Sequence, residues 1–183
     1  MARAEPAGCE GVEGKAQTMS ETESQPTQVQ MRIDRLYLKD CSFESPGTPA
    51  IFSEKFRPET QVDINTRVNN LGDQRHEVVL TTTVTSTREN EKIAFVVEVQ
   101  YAGIFVIEGA SDAQLQQIMG IACPNTLFPY VRETMDSLVV RGGFPPLQIA
   151  PVNFEAVFNQ ALQSAQQQQD QGQQPDPEKN VTH

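Results

Sequence analysis

Basic residues are scarce in this chain, with 14 Lys and Arg against 24 Asp and Glu and a net charge of −10 over 183 residues. No Lys/Arg cluster or interleaved aromatic stripe reverses that field, so a nucleic-acid partner is not expected and a basic protein partner is. Histidine is nearly absent: His76 sits beside a turn and His183 at the end, leaving little from which to build a His-based triad or a His-rich metal site. The three cysteines, at positions 9, 41 and 123, lack metal-ligand spacing and fit reduced thiols of the cytosol. Neither a Gly-x-x-x-x-Gly-Lys-Ser/Thr loop nor a Gly-x-Gly-x-x-Gly fingerprint is present, so no standard nucleotide cradle and no cofactor is expected. No signal-peptide pattern and no apolar run near the ~18 residues of a membrane helix occurs, which predicts a cytoplasmic protein without direct membrane insertion.

The ends are poor in large apolar side chains. Residues 1–30 carry Glu5, Glu10, Glu13, Glu21 and Glu23 against Arg3 and Lys15, and cannot bury enough surface to offset their ordering entropy. Residues 166–183 open on the Gln166 to Gln169 run and continue through Gly172, Pro175 and Pro177. Both read as disordered tails, one acidic and one Gln-rich, around a single domain at 31–165. Met19 opens Met-Ser-Glu-Thr-Glu, a start in its own right, so residues 1–18 read as an upstream extension or a start placed too early.

Within the domain, 31–43 is rich in Ile, Leu, Tyr and Phe, but Ile33, Leu36, Leu38, Cys41 and Phe43 keep no single parity, as in a strand apolar on both faces or bulged. Residues 45–57 read as a long loop, and long loops in compact domains tend to be functional. Val62, Ile64, Thr66 and Val68 alternate with polar residues in a half-buried strand; Val78, Leu80, Thr82 and Val84 define the next; and 93–101 gives a third, joined by short turns as an antiparallel meander. The last run has an unbroken apolar row, Ile93, Phe95, Val97, Val99 and Tyr101, which must be covered; association of subunits is the expected cover.

Ser111 with Gln114 makes a capping box that opens the main helix. Its stripe of Leu115, Ile118, Met119 and Ala122 is interrupted at Pro124 and resumes through Leu127, Phe128, Val131, Met135, Leu138 and Val139 until Gly142 and Gly143. The expectation is a kinked helix, or two consecutive ones, over about 112–140. Residues 144–152, with Pro145, Pro146 and Pro151, must be extended; Asn153 then caps a short helix whose Phe154, Val157, Phe158, Ala161, Leu162 and Ala165 form an amphipathic stripe.

No catalytic constellation emerges. Cys123 before Pro124 reads as a small buried residue rather than a nucleophile, and Cys41 likewise. Glu89 and Glu91 fall in a turn, where a solvated surface is the simplest reading. Asp40 and Glu44 share parity on the first strand, as do Val96 and Glu98 on the last; they make either an ordinary solvated face or a docking surface for a cationic module. Ile51, Phe52, Phe56 and Phe144 lie in a loop and an extended linker. They are either anchors packed on the domain or, with Phe158, the walls of a groove receptive to extended polypeptide.

Four segments carry a resemblance. Tyr37-Leu-Lys-Asp-Cys-Ser-Phe-Glu-Ser-Pro46, Ala94-Phe-Val-Val-Glu-Val-Gln100 running on to Gly103-Ile-Phe105, Ile121-Ala-Cys-Pro-Asn-Thr-Leu-Phe-Pro-Tyr-Val-Arg-Glu133 and Arg141-Gly-Gly-Phe-Pro-Pro-Leu-Gln-Ile-Ala-Pro-Val-Asn-Phe154 resemble the SecB protein-export chaperone family over about residues 30–162. The resemblance implies an α+β fold, a four-stranded antiparallel sheet with a long kinked helix and a short C-terminal helix, assembled as a homotetramer (a dimer of dimers). It implies a chaperone, not an enzyme, that holds unfolded secretory precursor proteins without ATP and delivers them to SecA. Carried residue by residue, SecA docking falls on Asp40, Glu44, Val96 and Glu98, with valine where the family commonly has leucine. The oligomer strand falls on Val97, Val99 and Tyr101, the last in place of a more usual polar residue. The client groove takes in Phe52 and Phe56, the latter replacing a frequent tryptophan. The rival reading is a chaperone of the same fold dedicated to one toxin-antitoxin partner.

Overall fold

The computed structural model describes residues 28–53, 58–88 and 92–171. Four strands, β1 (Gln30–Glu44), β2 (Glu59–Gly72), β3 (Arg75–Thr87) and β4 (Ile93–Glu108), form one antiparallel sheet in the order β1-β4-β3-β2. Three helices follow: α1 (Asp112–Gln117), α2 (Cys123–Arg141) and α3 (Phe154–Gln171). This is the α+β architecture expected, with β2 to β4 as the meander and β1 returning beside β4. The register of β1 against β4 shifts between Ile33 and Arg35 and again between Leu38 and Asp40. Two bulges therefore account for the broken parity of that segment. The β2–β3 hairpin closes with Gly72 opposite Arg75, and Asp73 and Gln74 at φ 50° and 59° give the left-handed pair that suits strand twist.

The core lies between one face of the sheet and α2. Val78, Leu80 and Val84 of β3 and Phe95, Val97 and Val99 of β4 meet Leu127, Phe128, Val131, Met135 and Val139. The middle of the β4 row is thus covered from within the chain: Phe95 is 2% exposed and Val97 and Val99 0%, while Ile93 is exposed and Tyr101 half-buried. For Phe95, Val97 and Val99 the expectation that a second subunit is the cover is corrected, because the α2 stripe lies over them.

The joined helix begins with the predicted box: the Ser111 hydroxyl accepts from the Gln114 amide, and the Gln114 side chain accepts from the Ser111 amide. Between α1 and α2, Ile118–Ala122 forms a π-helical turn in which the Cys123 amide donates to the Ile118 carbonyl. The wider turn absorbs the interruption at Pro124, which sits in the first turn of α2 where its missing N–H does no harm. The rod therefore continues without a break, and Pro129 is tolerated inside it. Gly143, at φ 85°, supplies the left-handed residue that ends it.

From there the chain is pinned by aromatics. Phe144 packs on Phe95 with ring centroids 4.8 Å apart, on Phe52 at 5.4 Å and on Phe43 at 6.2 Å. The long loop after β1 holds a 3-10 turn, Ala50–Ser53, anchored by buried Ile51. Asn153 caps α3, its Oδ1 accepting from the Ala156 amide at 3.1 Å. The helix runs through the Gln166 to Gln169 segment assigned above to the tail and reaches Gln171, because glutamine is a good helix former and extends a helix already nucleated. Residues 1–27 and 172–183, which hold most of both expected tails, lie outside the described residues, as do Phe56, Glu89 and Glu91.

Candidate functional site

Two surfaces stand out, on opposite faces of the sheet. The face turned away from α2 carries the acids. In the β1–β4 register Asp40 lies opposite Gln100, Ser42 opposite Glu98 and Glu44 opposite Val96, so Asp40, Glu44, Val96 and Glu98 share this face within a few residues. Asp40 and Glu44 are exposed, while Val96 and Glu98 are half-buried. Glu98 is held in place: Thr83 Oγ1 donates to one carboxylate oxygen and Gln100 Nε2 to the other, each at 3.1 Å. Thr83 also faces Asp63 on β2, so an exposed fourth acid shares the surface. Sequence reasoning passed over Asp63, since strand parity alone does not say which strands are neighbours.

Further along the same face, Glu77 of β3 accepts from Lys39 Nζ and Asn69 Nδ2, both at 2.7 Å, and from the Tyr37 hydroxyl. The three donors come from the two outer strands, so the carboxylate ties both edges to the middle. Hydrogen bonds from Lys39, Tyr37 and Asn69 hold its pKa down to about 2. Burial, with Glu77 adding to it, pushes the Tyr37 phenol up to about 12.

On the helix side, a groove of about 530 Å3 runs between β2 and α3. Ile64, Thr66 and Val68 form one wall, Met119 and Gly120 the floor, and Val157, Phe158 and Leu162 the other wall. Among the described side chains of the α3 stripe Phe154 is buried and Phe158 half-buried; Val157 and Leu162 are exposed. Gly120 is needed for close approach: a Cβ there would stand 2.3 Å from the Phe158 ring. Among the described residues β2 pairs only with β3, so its other edge stands open beside the groove. Open backbone donors and acceptors next to an apolar trough can take an extended chain through both its backbone and its side chains.

Of the residues expected to wall this groove, Phe158 of α3 lines it. Ile51 and Phe144 are core anchors, 3% and 5% exposed, and are not among the residues lining this groove, because the sheet end needs covering where α2 stops. Phe52 is 53% exposed on the far side of Phe144 and joins the aromatic cluster rather than the trough. Of the oligomer residues, Val97 and Val99 lie beneath α2, and half-buried Tyr101 stacks on exposed Tyr130 of α2 at 5.3 Å. The β2 wall was missed because Ile64 and Val68 read simply as the inward side of a strand.

Burial pushes the Cys123 thiol up to about 12, leaving no thiolate for nucleophilic attack at neutral pH. Cys41 is exposed rather than buried, a consequence of β1 being an edge strand. Among the described residues no three or more His, Cys, Asp or Glu are grouped to hold a metal ion, and no helix is long and apolar enough to cross a membrane.

Comparison with known proteins bears on the family and the fold. The "Protein-export protein SecB" of Hahella chejuensis is 48% identical over 151 residues, covering 82% of this chain and 94% of that one. Its namesake in Pseudomonas fluorescens is 50% identical over 139 residues, covering 76% and 87%. A Mycobacterium tuberculosis SecB-like chaperone, solved with a ChAD peptide from the HigA1 antitoxin, shares the fold with a TM-score of 0.55 at 14% identity over 67% of this chain and 90% of its own. The family model described as preprotein translocase subunit SecB matches residues 24–166. With that match spanning the whole sheet and the joined helix, the chain belongs to the SecB family.

Proposed function

We propose that this protein is a cytoplasmic, ATP-independent export chaperone that holds unfolded secretory precursors in a translocation-competent state and delivers them to SecA. The observation that carries the reading is the separation of two surfaces by one sheet: an apolar groove beside an open strand edge on one face, an acidic patch on the other. A client held in the groove leaves the acidic face free for a cationic partner. Many weak apolar contacts along the groove select unfolded chains over any one sequence. Several grooves in one assembly raise affinity through effective concentration.

The docking set is Asp40, Glu44, Val96 and Glu98, with Asp63 extending the field across β3. Client contact centres on Phe158 and the β2 wall, with exposed Phe52 and with Phe56 as a further contact; Ile51 and Phe144 support these from the core. The homotetramer, a dimer of dimers, forms on surfaces the chain leaves open: the β1 edge, with exposed Met31, Ile33 and Leu38, and the outer side of α2. Val97, Val99 and Tyr101 bear on assembly by seating α2.

The deciding experiment measures mass by size-exclusion chromatography with light scattering, alone and with a denatured secretory precursor, in the absence of nucleotide. The expected result is about four times the 20.3 kDa chain mass and capture of the denatured but not the folded precursor. A stable oligomer that captures none of several unfolded clients would overturn the export reading in favour of a chaperone dedicated to one toxin-antitoxin partner.

A further inference from the structure

The face of the sheet turned away from α2 is divided by charge along its strands. Asp40, Glu44, Asp63 and Glu98 occupy one end, and Arg32, Arg35, Arg67 and Arg75 the other. The register fixes this placement. Arg32 lies opposite Val106, which faces Arg75; Arg35 lies opposite Ile104, which faces Glu77; Arg67 lies opposite Val79, which faces Ala102 and, beyond it, Tyr37. Part of the positive charge is already engaged, since Asp34 sits 2.9 Å from Arg75 and 4.0 Å from Arg32, and Glu77 holds Lys39. Arg35 and Arg67 are exposed and have no ion-pair partner among the described residues. Glu108 lies four residues beyond Ile104 on β4, about 14 Å along the strand, too far to pair with Arg35. Two such guanidinium groups on the face that carries the acidic patch repel the cationic partner that the acids suit.

We propose that the segment before β1 folds back across this end of the sheet, where Glu21 and Glu23 pair with Arg35 and Arg67 and neutralise them; the benefit to docking rests on the docking role proposed above. The described chain starts at residue 28, at the arginine end, with Gln30 opposite Glu108. Glu23 precedes Gln30 by seven residues, a span of up to about 23 Å. The return from the row of Gln30 to that of Arg35 needs about 14 Å, which leaves length for a reversal, and Pro26 favours one. Residues 19–27 hold both glutamates and no Lys or Arg, and both follow Met19, so either start keeps them. At spacing i, i+2 their carboxylates fall on one side of an extended chain. Arg35 and Arg67 stand three strand spacings apart, about 14 Å, and two long side chains can converge from there on carboxylates about 7 Å apart. A guanidinium also offers a carboxylate two parallel hydrogen bonds.

The test measures how fast an arginine-specific glyoxal reagent modifies each arginine, read by mass spectrometry, in the full chain and in its Glu21→Gln/Glu23→Gln variant at low salt. Arg35 and Arg67 are expected to react about threefold more slowly in the full chain, a protection within reach of two exposed ion pairs closed within one chain. The difference is expected to vanish at about 1 M salt, where the screening length is ~3 Å. Arg141, at the end of α2, is expected to react alike in both proteins. Equal rates for Arg35 and Arg67 in the two proteins at low salt overturn the contact. SecA docking, measured on the same pair, is expected to weaken about threefold in the variant. Unchanged docking despite different rates removes the benefit to docking, whereas docking by neither protein removes the docking role itself and leaves the rates to decide the contact.

Discussion

Three donors from both edges of the sheet converge on the Glu77 carboxylate, which is only 8% exposed. Its folded pKa of about 2 lies below the ordinary value of 4.5, so the unfolded chain binds the proton more readily. The stabilisation is therefore complete above pH 4.5 and is lost as pH falls toward 2. Glu77→Gln is expected to cost about 2 kcal/mol at pH 7, the range for bonds to a charged group, and the gap should narrow at pH 3. Urea denaturation of both proteins at the two pH values measures it; an unchanged gap would rule out the carboxylate as the source. On the same face Glu98→Lys is expected to weaken the proposed docking to SecA by about tenfold while leaving the proposed client holding nearly intact. Equal losses in a pull-down and in an aggregation-suppression assay would show that the two surfaces are not separate. Parity in the sequence already put Asp40 with Glu44 and Val96 with Glu98. Glu77 gave no such signal, since its partners Tyr37, Lys39 and Asn69 meet it only after β1 and β2 are laid out around β3 and β4.

Strands and helices were readable because their apolar periods differ, and the capping box at Ser111 and the stop at Gly143 were readable as local chemistry. What covers what was not. Val97 and Val99 gave the same alternating pattern whether their cover was α2 or another subunit, and only the packed chain decides for α2. The groove shows the same limit: the α3 stripe with Phe158 was visible, whereas its pairing with Ile64 and Val68 depends on β2 being an edge strand. The π-helical turn also escaped notice, although it places Gly120 under Phe158. Gly120→Ala should force that ring out of place, costing about 1–3 kcal/mol by overpacking and loosening one wall of the groove. The expected result is a lower urea midpoint together with weaker capture of a denatured client. Adding Phe158→Ala should recover part of the stability but not the capture, a non-additivity that contact predicts. A Gly120→Ala protein with unchanged midpoint would disprove the close approach.

At the scale of the whole molecule, α2 is covered on one side by the sheet and open on the other. The open side holds exposed Val140 and a depression of about 620 Å3 flanked by Arg132, Glu133, Asp136 and Arg141, with exposed Tyr130 at the margin where it stacks on Tyr101. One carboxylate oxygen of Asp136 is buried there without a hydrogen-bond partner. Arg141 lies five residues beyond Asp136, so a second α2 laid antiparallel about a two-fold axis near residues 138–139 would set the Arg141 of each helix against the Asp136 of the other. Such a contact would give Asp136 its missing partner and cover Val140, and the β1 edge remains for the other pairing of the proposed dimer of dimers. Val140→Glu adds a like-charged pair near that axis while disturbing nothing in the core, because the side chain is 52% exposed in the single chain. The expected outcome is a fall in the light-scattering mass from tetramer to dimer, with the thermal unfolding of the subunit fold retained. A tetramer that survives both this change and Tyr130→Ala would move the interface off α2, with the β1 edge the next surface to test.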